Sequence, residues 1–130
     1  MAKTTQINSQ RSPLKIHDAI TSASAAPSVE ADVQFGAKEY GRIRVFVDYA
    51  NTVTLANLRL YVWNDTLAKF YRIGDSDEIE PFSPTLGDEA RDYFVGRGAF
   101  VHIQLESFAG SASPAATVWV MGVDDGEING

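Results

Sequence analysis

The chain has 130 residues, no cysteine and a formal net charge of −6 at pH 7. That length fits one domain, and 45% hydrophobic residues are enough for a core. The missing thiols exclude disulfides and thiolate metal sites. The acidity argues against general nucleic-acid binding, and no apolar run approaches the roughly 18 residues a membrane span needs.

Residues 1–29 differ from the rest. Met1–Gln10 is polar and Thr21–Ser28 is a low-complexity run of small residues. Neither buries enough apolar surface to offset the entropy of ordering. Between them, Leu14, Ile16 and Ile20 supply apolar grip. Lys3, Arg11 and Lys15 against Asp18 make the segment net positive, so the excess acidity belongs to the remainder. The segment reads as an extended or flexible N-terminal arm, free or laid on another chain. With no apolar leader at its start, cytoplasmic synthesis is expected.

From residue 30 to 124 the pattern is that of strands. Ala31–Phe35 is a short one, stopped by Gly36. Gly41 opens a strand through Tyr49, where Ile43, Val45, Val47 and Tyr49 share one face and Arg42, Arg44, Phe46 and Asp48 the other. Ala50–Thr52 reads as a turn, followed by a strand through Trp63. Asn64-Asp65 is a turn signal, and Leu67–Ile73 returns as the hairpin partner. Ile79–Phe82 reads as a short edge strand bounded by prolines. Asp88–Asp92 reads as one helical turn before Tyr93–Val95. Ala99–Ser107 and Ala115–Val123 are the last strands, separated by a loop at Gly110–Pro114, and 125–130 form a tail. Seven or eight strands without a long helix predict an all-β antiparallel sandwich, jelly-roll-like or of another Greek-key order. No fixed-period repeat is present.

The alternation leaves Phe46, Tyr61, Trp63 and Trp119 on the face a one-sided core would give to water. They are read as core rings, as a protein interface or as a platform for a sugar-like ligand, since rings with few charges suit interface centres. No catalytic constellation emerges. His17 and His102 lack a partner at ligand spacing, so no metal site or histidine-based catalysis is expected. Asp75, Asp77 and Glu80 offer oxygen ligands without the spacing of a calcium loop, and Asp124–Glu127 is similar. Both read as solvated acidic loops. Gly96-Arg97-Gly98 has neither the lysine nor the helix start of a phosphate loop. No cofactor is expected.

The polar arm, the cysteine-free acidic β-body and the closing phrase Ala116-Thr-Val-Trp-Val-Met-Gly-Val-Asp124 resemble the capsid decoration (cement) proteins of tailed bacteriophages. The resemblance implies a non-enzymatic virion protein assembled in the host cytoplasm. Such a protein sits on the capsid surface, ties major capsid proteins together and is a homo-oligomer, dimer or trimer, without nucleic-acid or membrane partners. The interface residues expected are Leu14, Ile16, Ile20, Phe46, Tyr61, Trp63 and Trp119. On this reading, a chain without residues 2–28 keeps a folded β-domain and loses attachment to heads. The rival reading is a carbohydrate- or receptor-binding module that uses its exposed tryptophans and tyrosine.

Overall fold

The computed structural model describes Ile7, residues 13–73 and residues 90–123, with the backbone alone at 49–56 and 107–114. The strands are β1 (Leu14–Ile20), β2 (Phe35–Gly36), β3 (Arg42–Asn64), β4 (Lys69–Arg72), β5 (Ala90–Phe94) and β6 (Phe100–Val123). One 3-10 turn at Glu30–Asp32 precedes β2, and there is no α-helix among the described residues.

β3 and β6 pair antiparallel along almost their whole length, from Arg42↔Val123 to Val62↔Val101. A straight 23-residue strand would run about 75 Å at ~3.3 Å per residue. A domain of this size has a radius of gyration of only ~14 Å. The ladder therefore has to turn over. Its register slips between Ala50 and Thr52, between Val53 and Leu55, and between Asn57 and Leu58. Each slip is an unpaired insertion of the kind that bends and twists a strand.

Both long strands thereby serve two sheets, giving eight strands in two antiparallel sheets of four. In the first sheet the order is β1, the second half of β6, the first half of β3, and β5. In the second it is β2, the first half of β6, the second half of β3, and β4.

The core lies on the inward face of both. Ile43, Val45, Val47, Ala116, Val118 and Val120 come from the first sheet. Leu58, Leu60, Val101, Ile103 and Leu105 come from the second, and Phe35 and Ile7 join the same cluster. Each fully buried aliphatic or aromatic side chain contributes about 1.5–3 kcal/mol. Gly122, opposite Ile43, leaves room for the Tyr40 ring, which a Cβ there would overlap. At the β3–β4 turn, Asn64 accepts the Leu67 amide on Oδ1 (2.8 Å) and the Ala68 amide on its carbonyl (2.7 Å).

The edge of β6 in the second sheet is closed by the N-terminal third of the chain, through backbone and side chains together. β2 supplies only the pairs Phe35↔Val101 and Gly36↔Phe100. Beyond them the Gln34 amide donates to the Val101 carbonyl (2.9 Å), and the Ile103 amide donates to Gln34 Oε1 (2.7 Å). His17 Nε2 donates to the Ile103 carbonyl (2.8 Å). Ser24 takes both groups of Leu105, its Oγ accepting the amide and its own amide donating to the carbonyl, each at 2.9 Å. Three polar side chains thus stand where a neighbouring strand would be. Buried backbone groups left unpaired there would each cost about 1–3 kcal/mol.

Several expectations change, among them the helical turn at Asp88–Asp92, since Ala90–Phe94 is a strand paired with β3. Leu14–Ile20 is a strand of the first sheet, paired with β6 at Leu14↔Val120, Lys15↔Trp119, His17↔Val118 and Ile20↔Ala116. Leu14, Ile16 and Ile20 are partly buried against this chain's own core. Residues 1–6 and 8–12 of that segment, and the tail at 125–130, lie outside the described residues. The breaks expected at Ala50–Thr52 and Gly110–Pro114 fall inside continuous strands, where the backbone absorbs them as register shifts.

A chain beginning at residue 29 lacks β1, His17 and Ser24. It is expected to lose the cooperative thermal transition of the full-length protein by circular dichroism. An unchanged melting curve would show β1 to be dispensable.

Candidate functional site

The side chains facing outward from each sheet follow directly from the strand alternation. On the first sheet Phe46 stands opposite Trp119, and Trp119 stands opposite Lys15. These three make a row across adjacent strands. The Lys15 ammonium lies 5.1 Å from the Trp119 ring centroid, a cation–π contact worth about 0.5–1 kcal/mol where water reaches it. Lys15 also reaches Asp18 at 3.4 Å.

One row along, Arg44 and Asp92 face each other across β3 and β5. They form a two-point ion pair, Nε to Oδ1 at 2.6 Å and Nη2 to Oδ2 at 2.9 Å. That bond from Arg44 holds the Asp92 carboxyl below its ordinary range, and the same contact raises Arg44. A further row along, Phe94 stands opposite Arg42 and is 71% exposed.

The second sheet carries a different set of rings. Trp63 meets Phe70 edge-on at 5.1 Å between centroids, Phe70 meets His102 at 6.1 Å, and His102 meets Tyr61 at 6.4 Å. The rings are fixed at their polar ends. Trp63 Nε1 donates to Asp65 Oδ1 (2.9 Å), Tyr61 donates to Gln104 Oε1 (3.0 Å), and Gln104 Nε2 donates to the Ser24 carbonyl (3.2 Å). Beside them Glu106 accepts from Asn57 Nδ2 at 3.0 Å and from Arg59 at 3.1 Å.

His102 is 91% buried, with Nδ1 donating to the Asp32 carbonyl at 2.7 Å. Burial is the main cause that lowers its pKa. Asp32 in turn accepts the Ser28 and Val29 amides on one carboxylate oxygen, at 2.8 and 3.1 Å. Those bonds lower its own pKa.

The sequence-predicted residues therefore divide three ways. Phe46 and Trp119 meet on one outer face, Tyr61 and Trp63 lie on the other, and Leu14, Ile16 and Ile20 pack inward. All four rings are half-buried and none belongs to the core cluster. What sequence reasoning missed is the company they keep: Lys15 over Trp119, Phe70 between Trp63 and His102, and the burial of His102 under the turn at Glu30–Asp32. The acidic stretches Asp75–Glu80 and Asp124–Glu127 lie outside the described residues. Among the described residues no three His, Asp or Glu side chains are placed to hold a metal ion. No helix among them is long and apolar enough to cross a membrane. Both outer faces are suited to contact through rings and hydrogen bonds.

The Arg44–Asp92 pair sets an acid limit on stability. The folded-state pKa of Asp92 is depressed, so its contribution is present above the ordinary 3.8 and is lost as pH falls below it. Both side chains are about a third exposed, so solvent screening keeps the contribution to about 0.5–1 kcal/mol. Asp92→Asn is expected to lower the melting temperature at neutral pH. The gap to the parent protein should narrow below pH 3.8, and a pH-independent difference in thermal melts would contradict this.

Compared with protein-family models, with curated proteins and with solved structures, the chain matches none.

Proposed function

We propose that this chain is a non-enzymatic virion structural protein. It binds the outer surface of a phage capsid as a homo-oligomer and stabilises contacts between major capsid subunits. The scaffold we infer is a jelly roll. Support comes from the pairing: numbered in chain order, the eight strands join first to eighth, second to seventh, third to sixth and fourth to fifth. Those are the nested pairs of one long antiparallel hairpin. Rolling it up sets the eighth beside the third and the seventh beside the fourth, which are the β6–β3 contacts. Jelly rolls serve capsid and lectin domains alike, so the role has to be argued from the surface.

The observation that carries this reading is the outer face of the first sheet. Half-buried Phe46 and Trp119 lie side by side at its centre, and Lys15–Asp18 and Arg44–Asp92 flank them. An apolar centre with a polar, ion-paired rim is how protein interfaces are built. Aromatic anchors of this kind carry most of the binding energy where they are covered.

The second reading, a carbohydrate- or receptor-binding module, draws on the other face. There Tyr61, Trp63 and Phe70 sit beside the hydrogen-bonding groups of Asp65 and Gln104.

Co-sedimentation with undecorated capsids separates the two. Trp119→Ala is expected to weaken attachment by about 2 kcal/mol, roughly 30-fold in Kd, with Trp63→Ala close to the parent protein. Light scattering should report a dimer or trimer. Full attachment by Trp119→Ala would remove the first sheet from the interface. A saccharide-dependent change in tryptophan fluorescence that disappears in Trp63→Phe would favour the second reading.

A further inference from the structure

His102 occupies an unusual position for a group that titrates near neutrality. Its side chain stands on the outward face of the second sheet, yet it is 91% buried because the turn at Glu30–Asp32 lies against it. The two ring nitrogens are unequal. Nδ1 is committed as a donor, because the Asp32 carbonyl only accepts. Nε2 is buried and has no hydrogen-bond partner among the described residues. The neutral ring, protonated on Nδ1, satisfies this geometry. A second proton would place a charged N–H on Nε2 with no acceptor, a costly arrangement away from water.

The turn itself is a small closed unit. The Asp32 carboxylate accepts the Ser28 and Val29 amides, and the Asp32 carbonyl binds His102. It is bracketed by Ser24 on one side and Gln34 on the other, both hydrogen-bonded to β6. Val29, at its tip, is 55% exposed. Few apolar contacts hold such a segment, so the polar contact to His102 weighs heavily.

We propose that residues 28–33 form an acid-released latch, closed by the neutral His102 ring and opened when that ring takes up a second proton. Protonation strengthens the Nδ1 bond but leaves a charged N–H at Nε2 with no acceptor; opening lets water reach Nε2, at the loss of the Nδ1 bond to Asp32, and frees the turn. The Phe70 and Tyr61 rings flank His102 at this point.

The groups facing His102 act in both directions, and burial outweighs the rest. From the turn comes Asp32, whose carbonyl and carboxylate both favour the charged ring, although the carboxylate is already shared between the Ser28 and Val29 amides. From β1 comes His17, whose electrostatic effect disfavours the charged form of His102. From β3 comes the Tyr61 hydroxyl, which donates to Gln104, and Arg72 stands opposite Tyr61 on β4. The folded-state pKa is depressed, so the stabilisation is complete above the ordinary 6.5 and is lost as pH falls through the folded-state value.

The test is an NMR titration of the full-length, isotopically labelled protein, reading the histidine rings and the amide exchange of 28–33 together. The His102 ring is expected to hold the Nδ1–H tautomer at neutral pH and to titrate with a midpoint below 6.5. Amide protection at 28–33 should fall roughly tenfold or more in step with it. In His102→Gln the side-chain amide can still donate to Asp32, and the same segment is expected to stay protected through that range. Opening that persists in His102→Gln, follows His17 instead, or fails to accompany His102 titration overturns the proposal. So does a His102 midpoint at or above 6.5. Should His102→Gln not fold, the parent protein's titration and exchange profiles still decide the matter.

Discussion

The β3–β6 ladder is the constraint on which everything else rests. It runs through both sheets, supplies the inner pair of strands in each, and contributes most of the core. Its alternation decides the destination of every side chain along it. Ile43, Val45 and Val47 face Gly122, Val120 and Val118 inward, while Arg44, Phe46 and Asp48 face Met121, Trp119 and Thr117 outward. A one-residue slip would exchange those sets and place the charges in the core. Register is thus specified by burial, and the outer faces are a by-product of the same pattern.

Closure of the sandwich depends on a second arrangement, the polar seal on β6. His17 belongs to the first sheet, through its strand pairing with Val118, and reaches the Ile103 carbonyl of the second. Ser24 binds Leu105 on one side of that point, while Gln34 takes the Ile103 amide and binds the Val101 carbonyl on the other. An edge left open would be a template for pairing with another chain. Here the N-terminal third of the chain occupies it with backbone groups and single side chains, which explains why so polar a segment is ordered at all.

Much of the fold was legible from period two alone. The inward sets on β3 and β6, the β3–β4 hairpin at Asn64-Asp65 and the lack of a long helix among the described residues all follow from alternation and turn chemistry. The joining of residues 42–49 to 57–63, and of 99–107 to 115–123, was not legible. Turn-forming residues at Asn51 and Pro114 signal a break, whereas the tertiary ladder accommodates them as bulges. Strand β1 was hidden because Leu14, Ile16, His17 and Ile20 do not alternate cleanly, and the strand itself shifts register twice. The candidate site was half visible. Sequence placed the four rings outward but could not divide them between two sheets, since that requires knowing where the long strands turn over. Nor could it bury His102, whose cover lies some seventy residues away along the chain.

The pairing scheme also governs how such a chain can acquire its structure. Among the described strands, β3 and β4 are the consecutive pair that also bond to each other. Among the described residues, strands β1 and β2 pair with β6, and the first half of β3 pairs with β5 and β6. During synthesis, the first forty residues therefore have no sheet to join until the last thirty have been made. Partners this distant must pay for closing large loops before any contact rewards them, which makes folding slow. In that interval the apolar faces of Leu14, Ile16 and Ile20 and of Ile43, Val45 and Val47 are uncovered and prone to self-association.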